Sequence, residues 1–294
     1  MGAKIYQNKK YIAFFLIPAF VFMLIFLYYP FIQNIINSFQ HIKYMGTAAD
    51  KWNAPFYKNY LEIFKDPKML IALKNTGIMI IATIVGEVGL AIVLSLLVSN
   101  IKKGAGFFRV VYFFPIVISA TALGLLFNLV FLYDKGMINQ LLQLIGVLDA
   151  GKNELIDWKA THPMFTMLVP VIWQYVGFYF IILLTGLSGI PEDLYEAAEI
   201  DGASKLQQVR YVTLPLLRNS ICTCVVLAVT GALKVFDLPW TMFVNGMSNT
   251  WLTGTYIYVD VDYSSAIAVV IVIIGVVLSV VVNQIFKTND DYDV

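Results

Sequence analysis

The sequence predicts an all-α membrane protein with six transmembrane helices. Its 294 residues are 59% hydrophobic and 13% charged, against about 45–50% and about 25% in a soluble domain. Six stretches reach the ~20 mostly apolar residues that a bilayer span needs: Tyr11–Ser38, Leu70–Val98, Val110–Tyr133, Met164–Ile190, Asn219–Trp240 and Ser264–Phe286. None is built from the short alternating segments of a membrane β-barrel. Hydrocarbon also obliges the backbone to satisfy its own hydrogen bonds, so the spans are helices. Net charge is +1 with no basic tract, which argues against a nucleic-acid partner.

The first span follows Lys4, Lys9 and Lys10 and imitates a signal peptide. Its uncharged stretch, however, runs from Tyr11 to Gln40, too long for a signal core, and no A-x-A site follows. It is read as a retained span. The second span carries Lys74 near one end and Glu87 near its middle, the third carries Asn128, and the fifth carries Lys234 and Asp237. Ionisable groups at such depths are costly and often functional. Lys234 and Asp237, three apart, suit mutual neutralisation, and Glu87 needs a partner or a proton.

The whole reads as a single transmembrane domain over residues 11–290, with an N-terminal tail at 1–10 and a C-terminal tail at 287–294. Six spans put both termini on one side. Lys4, Lys9 and Lys10, then Lys102, Lys103 and Arg109, then Lys205, Arg210 and Arg218 share that side. Opposite them stand Lys43, Lys51, Lys58, Lys65 and Lys68, with Lys135, Lys152 and Lys159, while Thr241–Tyr263 has no Lys or Arg. The balance places both termini in the cytoplasm of a multi-pass cell-membrane protein.

Two links have helical patterns of their own. In Tyr133–Val147 the apolar Met137, Ile138, Leu141, Leu142, Leu144 and Ile145 suit a short amphipathic helix. "FYKNYLEIFKDPKMLIALKNT" suits an interfacial helix that ends before Pro67. Cys222 and Cys224 are two apart in an apolar run and suit packing. His41 and His162 fall in different links without the clustering of a metal site.

A polar island, "YEAAEIDGASKLQQVRYVTLPLL", separates the fourth and fifth spans. Pro191, Glu192 and Asp193 suit the first turn of a helix. That helix would run to about Asp201, and Gly202 supplies the left-handed residue past its end. Ser204 can cap a second short helix, with Leu206 and Val209 on one face and Pro215 where the next span begins. Ala197 and Ala198 would let a partner surface approach the backbone, and Glu196, Glu199 and Asp201 add charge. These features suit a docking knob and suit an ordinary capped loop equally.

At these residues the chain resembles the inner-membrane permeases of bacterial ABC importers. Their cytoplasmic motif runs EAA, three residues, Gly, nine residues, Ile, any residue, Leu-Pro. Here it reads Glu196-Ala197-Ala198, Gly202, Val212 for the usual Ile, then Leu214-Pro215. "IAFFLIPAFVFMLIFLYYPFIQNIINSF", "GFFRVVYFFPIVISATALGLLF", "VFDLPW" and "YSSAIAVV" extend the resemblance to the carbohydrate branch, of the maltose-type and glycerol-phosphate-type permeases. The chain departs from that branch at Asn245-Gly246-Met247, where a Gly-Gly-Pro is usual, and in a shorter stretch before Tyr263.

The resemblance implies the type I ABC importer permease fold. It implies a non-catalytic subunit paired with a second, homologous permease, above two copies of a cytoplasmic ATPase and below an extracellular solute-binding protein that delivers sugar. No cofactor would reside in this chain, since it has no G-x-x-x-x-G-K-[ST] loop. ATP and Mg would be used by the ATPase. The hairpin 191–215 would dock on that ATPase, with Glu196, Ala197, Ala198, Asp201, Gly202, Leu214 and Pro215 as coupling residues.

A midplane pathway would be lined by the fourth and fifth spans. Gln174 and Phe178, four apart, offer an amide and an aromatic ring for a sugar. Ala228, Gly231, Ala232 and Phe236 form a stripe that suits a cavity or close helix packing. Asp237 and Trp240 would stand near the outer gate. An oligosaccharide is the expected substrate, glycerol phosphate or another polyol-like solute the alternative. An ion-driven secondary transporter and an intramembrane enzyme are the other classes; neither needs the hairpin.

Overall fold

The computed structural model describes residues 9–42, 46–47, 49–101, 103–152, 154–243 and 261–287. Asn245-Gly246-Met247 and most of the link before Tyr263 lie outside them. Among the described residues, four helices are long and apolar enough to cross a membrane: Tyr11–Asn37, Pro67–Ser99, Pro163–Ser188 and Val261–Phe286. Two bent pairs bring the number to six where each is counted as one span. Ala105–Val117 meets Ala120–Val130 at 97°, and Lys205–Leu216 meets Arg218–Lys234 at 68°.

The bends are where the structure departs from uninterrupted spans. In the third, Pro115 lies in the opening of a 3-10 turn, Phe114–Val117, and Ile118 is extended. Proline donates no backbone hydrogen bond and so weakens a helix at that point. Ser119 restarts the helix as its cap, its Oγ accepting from the Ala122 amide at 3.2 Å. The fifth span was expected to run unbroken to Trp240. Its helix instead ends at Lys234, Val235 is extended, and a short helix resumes over Asp237–Met242. Lys234 and Asp237 therefore lie on separate helices. Both are exposed, and no ion pair forms between them. The expected neutralisation fails because the break intervenes.

The chain divides into two compact units, Met1–Pro67 with Tyr256–Val272 and Lys68–Thr255 with Ile273–Val294. In the first unit, the first helix exposes apolar side chains such as Phe14, Phe15, Phe22 and Phe26. The expected interfacial helix is present at Lys58–Lys65, with Asn59 and Ile63 buried. Asn59 donates to the Ser38 carbonyl at 3.0 Å and to Asp262 Oδ2 at 3.4 Å. His41 Nδ1 lies 3.4 Å from the same oxygen. Tyr263 donates to Asp66 at 3.4 Å. These bonds tie the start of the last helix to the first link.

In the second unit, the core gathers Met79, Leu123, Phe131, Met167, Leu238 and Met242. Gly177 brings the Pro163–Ser188 helix against the backbone of Tyr112, whose carbonyl a Cβ would strike. The amphipathic helix expected in the third link is Met137–Leu144. Its buried Asn139 donates to the Tyr133 and Ile156 carbonyls, each at 3.0 Å, and accepts from Trp158 Nε1 at 2.9 Å.

Candidate coupling hairpin and translocation face

The hairpin folds from local chemistry. Its first arm is the helix Asp193–Ile200, with Asp193 and Glu196 in the first turn. Such acids face the positive end of the helix dipole. The arm closes through Asp201, Gly202 and Ala203, whose amides donate to the Ala197, Glu199 and Ala198 carbonyls at 3.0, 3.0 and 2.9 Å. Gly202 has φ +80°, and a Cβ there would meet nothing within 4 Å. Glycine is thus required by backbone angle, not by crowding.

Ser204 then forms a full capping box. Its amide donates to Gln207 Oε1 at 2.7 Å, and its Oγ accepts from the Gln207 amide at 3.4 Å. The second arm continues through Lys205–Leu216. The arms are stapled where Tyr195 and Thr213 share a hydroxyl–hydroxyl bond at 3.1 Å.

Beyond the staple the tip is exposed. Ile200 is 87% exposed and Leu206 79% exposed, flanking Gly202. Glu196, Ala197, Asp201 and Pro215 are exposed beside them, while Ala198 and Leu214 are half-buried. Leu206 is exposed, while Val209, three residues on, is half-buried. An exposed apolar pair rimmed by charge is a surface suited to contact with another protein.

The other candidate residues are divided by their surroundings. Gln174 is buried and donates its amide to the Ile118 carbonyl at 2.9 Å, across the break in the third span. Phe178 is half-buried with its ring 5.4 Å from that of Tyr179. Ala228 and Ala232 are buried. Gly231 is exposed, and a Cβ there would meet nothing within 4 Å. Lys234, Asp237 and Trp240 are exposed as well, and Phe236 holds its ring 5.6 Å from Trp240. The fifth span thus buries its alanines and presents an open face of Gly231, Lys234, Asp237 and Trp240, with Phe236 beside it.

Glu87 finds a partner that sequence reading missed. It is buried in the π-helical segment Ile84–Gly89, which packs on the Pro163–Ser188 and Arg218–Lys234 helices. The buried Tyr179 shares a hydrogen bond with its carboxyl. Tyr175 and Tyr179, four apart on the fourth span, were the available signal. Asn128 likewise acts as a bridge: it donates to the Thr241 carbonyl and accepts from Lys159, each at 3.1 Å.

Apolar helices of membrane-spanning length, with an exposed, capped hairpin between two of them, define a multi-pass membrane protein. Residues 88–290 match the family described as binding-protein-dependent transport system inner membrane component, and the chain belongs to it. YurN, a probable ABC transporter permease protein of Bacillus subtilis, is 33% identical over 97% of this chain and 99% of its own. AraP of Halalkalibacterium halodurans, an arabinooligosaccharides transport system permease protein, is 31% identical over 97% of this chain and 90% of its own. A crystal structure of a bacterial ABC transporter involved in alginate import contains a chain that superposes with a TM-score of 0.78. It is 21% identical and covers 96% of each chain. The fold is the type I ABC importer permease fold.

Proposed function

We propose that this chain is a transmembrane permease subunit of an ATP-driven sugar importer, with an oligosaccharide as its substrate. The exposed apolar tip of the hairpin, Ile200 and Leu206 about Gly202, carries this reading. A plain solvated loop has no use for two exposed aliphatic side chains at a turn held by a capping box. A groove on a cytoplasmic ATPase does. Family membership and the sugar named for AraP support the transport class.

In this reading the chain pairs with a second, homologous permease, and both termini are cytoplasmic. Two ATPase copies bind ATP and Mg beneath, and an extracellular binding protein delivers the sugar. Glu196, Ala197, Ala198, Asp201, Gly202, Leu214 and Pro215 transmit closure of the ATPase dimer to the fifth span. The open face of Gly231, Asp237 and Trp240, with Phe236, lines the pathway. Phe236 and Trp240 offer rings on which a sugar stacks, and Asp237 accepts from hydroxyls. Gln174 and Phe178 support this wall from the fourth span, and Ala228 and Ala232 seat its helix. Lys234, exposed and without a carboxylate partner among the described residues, favours a phosphorylated polyol as the second reading.

The test uses the assembled transporter in proteoliposomes, with the cognate binding protein loaded with labelled arabino-oligosaccharide or labelled glycerol phosphate. Ile200→Asp with Leu206→Asp should leave insertion and assembly of the two permeases intact while abolishing ATP-dependent uptake. Undiminished uptake by that variant would remove the docking role. Retention of glycerol phosphate in place of the oligosaccharide would select the second reading.

A further inference from the structure

We propose that a groove between the Ala105–Val117 segment and the Pro163–Ser188 helix binds an anionic phospholipid, its phosphate on Arg109 and one acyl chain along the groove. The groove holds about 400 Å³ and is lined by Arg109, Val110, Phe113, Phe114, Val117 and Ile181. The residues from Val110 to Val117 lie one, four, five and eight positions after Arg109, a single helical face. Ile181 lines the groove from the neighbouring helix.

The chemistry of the walls selects the occupant. Beyond the Arg109 side chain the lining is apolar, so whatever fills the groove buries no hydrogen-bonding group there. A sugar, dense in hydroxyls, does not fit that requirement, and an acyl chain does. The one charge stands at the end. Among the described residues Arg109 makes no ion pair. The sequence has no Asp or Glu between Glu87 and Asp134, or between Asp157 and Glu192, to supply one. Lys103 is exposed just before the helix and adds a second positive charge.

Depth agrees with charge. Arg109 lies in the opening turns of a helix that starts at Ala105, beside the basic link. From Arg109 to Val117 the groove runs about 12 Å at helical rise, most of one leaflet of a hydrocarbon core about 30 Å thick. A guanidinium near the start of the helix, with an open apolar groove running from it, matches a phospholipid end to end. Its planar fork pairs two phosphate oxygens at once. A helix from a second protein would instead have to bring a carboxylate to Arg109.

The experiment purifies the assembled transporter from nanodiscs of mixed phosphatidylethanolamine and phosphatidylglycerol and counts retained lipids by native mass spectrometry. The wild type should retain phosphatidylglycerol in preference to phosphatidylethanolamine, one molecule per copy of this chain. Arg109→Gln should reduce that retention about tenfold, the scale of a lost charge-assisted pair, and Arg109→Lys should preserve part of it. Val117→Trp should evict the lipid with the charge intact. Leu129→Trp, at an exposed site outside the groove, should change nothing. Equal retention of the two lipids by the wild type, or unchanged retention in Arg109→Gln, would overturn the proposal. So would a photo-crosslinker at Val117 that captures the partner permease and no lipid.

Discussion

Replacing Gly177 with alanine adds one methyl group at a point where two helices touch through their backbones. The new Cβ would strike the Tyr112 carbonyl, with the Phe113 amide nitrogen 2.9 Å away. Backbone atoms held in a helix cannot rotate aside as a side chain can, so the helices must separate. Overpacking of this kind costs about 1–3 kcal/mol, and a collision with backbone belongs at the upper end. Alanine returns about 1 kcal/mol of helix propensity over glycine, leaving a net loss of about 2 kcal/mol. Gly231→Ala is the control. It makes the same chemical change on the neighbouring span, where the Cβ meets nothing within 4 Å. It keeps the propensity gain of about 1 kcal/mol. The two variants should therefore differ by about 3 kcal/mol, more than a hundredfold in the folding equilibrium.

The chain carries its own reporter for this difference. Cys222 and Cys224 are both free and buried, so a thiol-reactive dye labels them as the bundle opens. Thermal labelling of the purified transporter in detergent should place Gly177→Ala below the wild type and Gly231→Ala at or above it. At roughly 2–4 °C per kcal/mol the separation is about 6 °C or more. Coincident melting of the two variants would refute the claim that helix approach at Gly177 is limited by backbone contact.

Other perturbations follow from single contacts. Asn139→Asp should loosen the third link more than Asn139→Ala, because a carboxylate would face the Tyr133 and Ile156 carbonyls that the amide now serves; protease nicking between residues 133 and 161 measures it. Gln174→Leu should cost about 1 kcal/mol by leaving the half-buried Ile118 carbonyl without its donor, read as a lower melting temperature. Glu87→Gln can keep a hydrogen bond to Tyr179 and should melt near the wild type. Glu87→Leu strands the buried hydroxyl and should lose about 1–3 kcal/mol in the same assay.

The spans were legible because a bilayer imposes a length, and six stretches of this sequence meet it. The hairpin was legible because its determinants are local. Gly202 and Ser204 act within a turn of where they stand, and the left-handed glycine and the capping box both form; the first arm, though, starts at Asp193, two residues past the Pro191 expected to open it. The breaks at Ile118 and Val235 were not legible. Apolar composition runs through both unchanged, and Pro115 and Pro239 mark disruption without saying which residues repair it. Gln174 shows the difficulty. On the sequence its amide suits a sugar, and in the fold it donates across to the third span. Nothing within one turn of Gln174 announces that Ile118 will need it.

The repairs also explain why these two spans break where they do. A carbonyl freed inside hydrocarbon is costly unless a neighbour serves it. Gln174 supplies the donor at Ile118. Past the second break, Asn128 supplies one to Thr241 and itself accepts from Lys159. The Asp237–Met242 helix packs on Ala120–Val130, and a Cβ at Gly124 would sit 2.8 Å from Thr241 Cβ. The ends of two broken spans are thus bonded and packed together, while the Arg218–Lys234 helix runs back from its own break to the hairpin. In the proposed mechanism, force applied at the hairpin passes the 68° bend after Leu216, then a helix of 17 residues, then an extended joint at Val235. Beyond that joint lies a piece held to the third span. Motion would therefore concentrate at Val235 and Phe236, beside the open face of Gly231, Lys234, Asp237 and Trp240. A joint beside the proposed pathway lets a push on the hairpin change that pathway's width without unfolding either helix. Loosening it, by Val235→Gly, keeps the backbone N–H and should slow ATP-driven uptake, because a slacker joint transmits less of the push. Full uptake by a well-folded Val235→Gly transporter would place the moving joint elsewhere.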